Sequence, residues 1–129
     1  MKYACLVYVD DSIIGALSKE QETKMIDGSV EFDHDLRDSG HLILAQPLQP
    51  PERAVTIRVR DGKMSSTDGP FAETKEHLGG FFLIEARDLA EAIQLARRSP
   101  MAEMGGIEIR PFLEQTHSVT GEGRPRLLK

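Results

Sequence analysis

Gly79-Gly80-Phe81-Phe82-Leu83-Ile84-Glu85-Ala86 is the segment whose reading decides the fold. Phe81 and Leu83 fall on one parity, Phe82 and Ile84 on the other. A strand with apolar side chains on both parities is expected to be buried on both faces. Directly before it stands Asp68-Gly69-Pro70-Phe71-Ala72-Glu73-Thr74-Lys75-Glu76, with a turn signal, an aromatic and four ionisable side chains in nine residues. Asp-Gly-Pro sets a sharp turn, because Gly adopts backbone angles other residues avoid and Pro fixes its own φ. A charged, stiffened loop hung on a buried strand is a usual place for binding groups.

Upstream, Ala54-Val55-Thr56-Ile57-Arg58-Val59-Arg60 alternates cleanly, which predicts a half-exposed strand with Val55, Ile57 and Val59 inward. Asp61-Gly62 is a two-residue hairpin turn that returns the chain through 63–67 to the Asp68 loop. Residues 2–9 and 41–46 are two further strands, again apolar on both parities, and Asp10-Asp11-Ser12 closes the first. Between them a helix is predicted over about 18–39. Ser18 and Gln21 form a capping box, Met25, Ser29, Phe32 and Leu36 lie near one face, and Gly40 takes the C-terminal cap. Pro47, Pro50 and Pro51 impose an extended linker.

Downstream, Asp88 with Glu91 starts a second helix, carried by Leu89, Ala92, Ile93 and Ala96 and ended by Pro100. Residues 106–112 are a last strand. The polar stretch 113–129 is read as a tail, disordered or laid on a partner subunit.

Strand, helix, strand, hairpin, strand, helix, strand is an α+β, ferredoxin-like βαββαβ pattern with an inserted hairpin, an antiparallel sheet with helices on one face. Two helices cover only one face of four strands, yet the strands are apolar on both. A second copy of the chain, sheet against sheet, is the economical cover, giving a homodimer built as a dimeric α/β barrel with a cleft near the strand ends.

At 129 residues the chain has the length of one domain. Its 40% hydrophobic and 29% charged residues suit a soluble protein, and a net charge of −5 argues against direct nucleic-acid binding. The single cysteine, Cys5, excludes an internal disulfide and fits a reducing compartment as a small core residue. The N-terminus lacks the apolar run of a signal peptide, and no stretch approaches a membrane span, so a cytoplasmic location is expected.

Chemistry is thinly marked. There is no Gly-rich phosphate loop, no nucleophile elbow and no Cys/His metal spacing, so no cofactor or metal is implied. His34, on a charged helix face, reads as a solvated histidine rather than a ligand. Asp10-Asp11 offers hard oxygens for Mg²⁺ or simply a solvated strand end. Asp68 and Glu73 are the candidate catalytic acid/base groups, although bracing its own turn is the commoner role for an aspartate placed like Asp68. Phe71, Thr74, Lys75 and His77 are the candidate substrate contacts. Phe71 is expected to anchor against the core, Lys75 to orient an anionic substrate, and His77 titrates near neutrality.

Met1-Lys2-Tyr3, Val59-Arg60-Asp61-Gly62-Lys63, the block from Thr67 through Glu76, Leu78-Gly79-Gly80-Phe81 and Glu108-Ile109-Arg110-Pro111 together resemble the YCII-related family, in its DGPF-domain branch, over residues 1 to about 112. The resemblance implies a dimeric α/β barrel of ferredoxin-like subunits and brings no assigned activity. It carries two ideas. One is an enzyme, from a histidine and an aspartate typical of the shorter YCII branch. The other is a part in transcription initiation with a sigma-factor-like partner. The positions of that histidine and aspartate here read Ser29 and Ser99, so the pair is not carried over. Two functions are therefore expected to compete: a small-molecule-binding or enzyme-like pocket beside the Asp68–Glu76 loop, and an interaction module.

Overall fold

The burial of the central strand β1 (Lys2–Asp10) alternates strictly. Tyr3, Cys5, Val7 and Val9 are buried and the residues between them are half-buried. In the computed structural model, which describes residues 1–125, β1 lies between β5 (Glu76–Glu85) and β6 (Gly105–Pro111), with β2 (Leu42–Pro47) outside β5. The order is β2-β5-β1-β6 and every neighbouring pair is antiparallel. This is the ferredoxin-like arrangement expected from the element order.

Three helices accompany the sheet: α1 (Asp11–Ile14), α2 (Lys19–Asp38) and α3 (Leu89–Ala96). Phe32 and Leu36 of α2 and Ala92 and Ala96 of α3 are buried in one cluster with the odd-numbered residues of β1. Phe32 meets Phe82 edge to face, with ring centres 5.3 Å apart and planes at 78°, a favoured aromatic geometry. Cys5 is fully buried, and loss of hydration pushes its thiol up to about 12, so it is an inert core residue. No helix is long and apolar enough to cross a membrane among the described residues.

The helix ends follow their local sequence. Ser18 Oγ accepts from the Gln21 N–H at 3.1 Å and Gln21 Oε1 accepts from the Ser18 N–H at 2.8 Å, the reciprocal box. At the other end the Gly40 N–H donates to the Arg37 carbonyl and the His41 N–H to the Leu36 carbonyl, the paired bonds of a glycine-terminated helix. Asp88 caps α3 through the Glu91 N–H at 2.9 Å, while the Glu91 carboxylate reaches the Arg87 N–H at 2.8 Å. That box closes one residue earlier than its usual form.

Three features depart from the sequence reading. First, α1 is an added turn: Asp10 ends β1 and caps α1 by accepting from the Ser12 N–H. Second, β5 begins at Glu76 instead of Gly79. Glu76, His77 and Leu78 pair with Asp10, Val9 and Tyr8, and a register shift between Val7 and Tyr8 leaves Gly79 as the extra residue. Third, the hairpin of β3 (Val55–Arg60) and β4 (Lys63–Asp68) forms its own two-stranded sheet. Asp61 and Gly62 both take positive φ, 52° and 74°, as the tight turn requires. Val55, Ile57 and Val59 do not face a core. Each is more than half exposed, because the hairpin stands outside the sheet that α2 and α3 cover.

The even-numbered residues of β1 define the other face of the four-stranded sheet. Leu6 pairs with Phe81, Ala4 with Leu83, and Leu44 with Leu83, all half-buried. In the tail, the His117 N–H donates to the Glu122 carbonyl at 2.7 Å around a turn whose residues are exposed. Positions 126–129 of that tail lie outside the described residues.

Candidate functional site

The Asp68 corner is built by backbone. Gly69, at φ 111°, donates its N–H to the Ala54 carbonyl at 2.8 Å, and its own carbonyl accepts from Thr56 Oγ1 at 3.0 Å. Positive φ makes glycine the natural residue here. Asp68 and Glu73 are exposed, and their carboxylates make no hydrogen bond or ion pair among the described residues. Phe71 is 75% exposed and does not anchor to the core. It lies instead under the Arg58 guanidinium, 4.8 Å from the ring centre, since both belong to the projecting hairpin and its corner.

The loop then turns back towards the sheet. Thr74 Oγ1 donates to the Glu76 carbonyl. Thr74, Lys75 and Glu76, with Tyr8, Ile107 and Glu108, line a shallow groove of about 640 Å³. Thus Thr74 and Lys75 share one concavity, while Asp68, Phe71 and Glu73 do not line it. Asp10 lies close by. Hydrogen bonds from Ser12 hold its carboxyl below the ordinary carboxylate range, with the Lys75 charge adding to the effect.

His77 has a different setting. Its ring is only 16% exposed, with Nε2 2.8 Å from Asp11 Oδ1 and Nδ1 3.5 Å from the Leu78 carbonyl. The bond to Asp11 raises its pKa above the ordinary histidine value. Burial opposes that, and the Leu78 carbonyl and the charges of Asp11 and Glu52 add to it. Nε2–H donates to Asp11 in the neutral and the protonated ring alike, and protonation adds a donor on Nδ1 facing the Leu78 carbonyl. His77 lines neither the groove nor the pocket described next, and its geometry is that of a clasp.

A second concavity, of about 250 Å³, lies between α2 and the sheet, with apolar walls that include Val7, Met25, Phe32 and Phe82. Gly80 makes it possible for β2 to close one side, because a β-carbon there would stand 3.0 Å from the Gln46 carbonyl oxygen and 3.1 Å from Pro47 Cα. Four polar residues are among its lining: Ser29, Asp33, Gln46 and Ser99. Ser99 Oγ accepts from the Met101 N–H at 3.2 Å and caps the short 3-10 turn Pro100–Glu103. Ser29 Oγ is buried with no partner among the described residues. Asp33 follows one helical turn later, half-buried. Burial raises its carboxyl above the usual range and the neighbouring His34 pulls the other way.

Sequence reasoning weighed Asp11 as a hard-oxygen ligand or a solvated strand end, not as the partner of His77, and used neither Asp33 nor Ser29 as a site. A signal existed for Ser29, the one hydroxyl on the apolar face of α2. Asp33 read as part of a charged run. Ser29 and Ser99 are far apart in the chain, and only the fold brings them to one cavity. No group of three or more His, Cys, Asp or Glu side chains that could hold a metal occurs among the described residues.

Comparison with known proteins bears on the whole of this architecture. The model of the YCII-related domain matches residues 1–116. An uncharacterized protein of Rhizobium meliloti (strain 1021) is 38% identical over 114 residues, covering 87% of this chain and 92% of the relative.

Proposed function

This chain belongs to the YCII-related family, and we propose that it is a small-molecule-binding protein whose site is the pocket between α2 and the sheet. The observation that carries this is Ser29, which lines a mainly apolar cavity and whose Oγ is buried with no partner among the described residues. Leaving such a group unsatisfied costs about 1–3 kcal/mol, which a bound ligand relieves. An apolar pocket with a few convergent polar groups is the usual form of a ligand site. By the family resemblance, Ser29 and Ser99 take the positions of a histidine and an aspartate of the shorter branch. Hydroxyls do not titrate near neutrality, which favours binding over acid–base turnover by that pair. The Asp68–Glu76 loop contributes Thr74 and Lys75 to the separate groove, which is the competing location. Titration of ¹⁵N-labelled protein with a fragment mixture separates the two. Shifts at Ser29, Asp33, Gly80 and Ser99 that vanish in Ser29→Leu support the pocket. Shifts confined to Tyr8, Thr74, Lys75 and Glu108 move the site to the groove.

The half-buried apolar row of Leu6, Leu44, Phe81 and Leu83 supports pairing with a second copy, sheet to sheet, in a homodimer. A cytoplasmic setting suits the single buried thiol. The exposed row Val55, Ile57 and Val59 on the hairpin favours a second reading, an interaction module for a sigma-factor-like protein. Co-purification that depends on Ile57 supports that reading, and capture unaffected by Ile57→Ser counts against it.

A further inference from the structure

The pocket between α2 and the sheet carries charge on one side only. Asp33 is half-buried, and its carboxylate makes no hydrogen bond or ion pair among the described residues. Ser29 precedes it by one helical turn, and residues so spaced share a helix face. Ser29, whose hydroxyl is buried without a partner among the described residues, and Asp33 therefore both line one cavity whose remaining walls are mostly aliphatic and aromatic.

Resting on the reading of this cavity as the binding site, we infer that its ligand is a small primary amine with an apolar body, the ammonium shared between Asp33 and Ser29. Four kinds of head group compete for the position. An anion would place a second unpaired charge beside Asp33, and unpaired charges away from water are costly. A neutral alcohol can donate to the carboxylate and accept from Ser29, but it brings no counter-charge to Asp33. A primary ammonium has three N–H donors, enough for the carboxylate and the hydroxyl together. A quaternary ammonium has the charge but no donor, so Ser29 would stay orphaned.

The body of the ligand follows from the walls. Phe32 and Phe82 already meet edge to face beside the cavity, and Met25 and Met101 offer adaptable thioether surface. A volume of about 250 Å³ lies just below the range typical of drug-sized ligands. It suits a single ring or a short branched chain. Burial pushes the Asp33 carboxyl up by more than the neighbouring His34 pulls it down, which agrees with a site whose counter-charge is incomplete.

The test uses the full chain and three probes of one size: 2-phenylethylamine, 2-phenylethanol and phenylacetate. Each is titrated into ¹⁵N-labelled protein and followed at the amides of Ser29, Asp33 and Gly80. The amine is expected to bind at least about tenfold more tightly than the alcohol, with phenylacetate weakest. Asp33→Asn, which keeps side-chain volume, should bring the amine to the level of the alcohol and leave the alcohol unchanged. Ser29→Ala should weaken the amine several-fold in a second, independent variant. If the alcohol or the acetate matches the amine at these amides, the amine assignment is overturned and the pocket stands. If none of the probes moves them, the assignment and the pocket reading both fall.

Discussion

His77 Nε2 lies 2.8 Å from Asp11 Oδ1, fastening the start of β5 to α1 across a separation of 66 positions. The partners differ in exposure: the histidine ring is 16% exposed and the aspartate 75%. The bond is therefore half wet, and its worth is well below that of a buried ion pair. It still ties down the strand that receives the Asp68–Lys75 loop.

That bond predicts a pH dependence of definite sign. The folded pKa of His77 is raised above 6.5, so the folded state binds its proton more tightly than the unfolded chain. The stabilisation is complete below pH 6.5 and is lost as pH rises through the folded value. Asp11→Asn should lower stability by about 0.5–1 kcal/mol at pH 5.5, discounted for the exposure of Asp11, and have little effect at pH 9. Paired thermal melts check this, and an equal gap at both pH values would contradict it. The His77 titration midpoint, followed by NMR, should fall towards 6.5 in the variant.

Gly105 and Gly106 are neighbours with opposite tolerances. A β-carbon on Gly105 would fall inside the van der Waals surface of the Tyr8 carbonyl oxygen, whereas one on Gly106 would meet nothing within 4 Å. Gly105→Ala should force β1 and β6 apart and cost about 1–3 kcal/mol or more. Gly106→Ala should be neutral, or gain about 0.4–1 kcal/mol from a stiffer unfolded chain. Urea denaturation of the two variants side by side decides the matter, and similar midpoints would contradict the packing of these strands.

The Ser18 cap is a local test of α2. Ser18→Ala removes the acceptor of the Gln21 N–H and should cost about 1 kcal/mol. Gln21→Ala, which leaves the Ser18 bond in place, should cost less. The order of the two unfolding midpoints is the readout.

These caps were legible because everything they need lies within four residues. The same holds for the Asp61-Gly62 turn and for the strand–helix order that fixed the ferredoxin-like topology. What was not legible depends on distant neighbours. Val55, Ile57 and Val59 alternate as a half-buried strand should, yet alternation cannot say whether anything lies against the apolar side, and here the hairpin projects. The four residues of α1 are too few to show helical periodicity. Asp33 read as one more charge beside His34, and only its position over the sheet half-buries it. Ser29 and Ser99 could be named as departures from a family pattern, but their meeting in one pocket is a property of the fold.

The proposed pairing of a second copy on the open sheet face has its own consequence. Leu6 and Phe81 are cross-strand partners there, so Leu6→Asp would place a charge at the centre of the proposed contact between sheets. Sedimentation should give twice the chain mass for the natural sequence and the single-chain mass for the variant, with an unchanged circular dichroism spectrum. A natural sequence that sediments as a single chain at micromolar concentration would contradict the pairing.

The most direct measurement of the pocket is a crystal structure of the chain soaked in a small-fragment mixture. Density is expected between α2 and the sheet, with a polar atom within hydrogen-bond reach of Ser29 Oγ and an apolar body against Phe82. Density only in the groove beside Lys75, or a pocket left to water at saturating fragment, would contradict it.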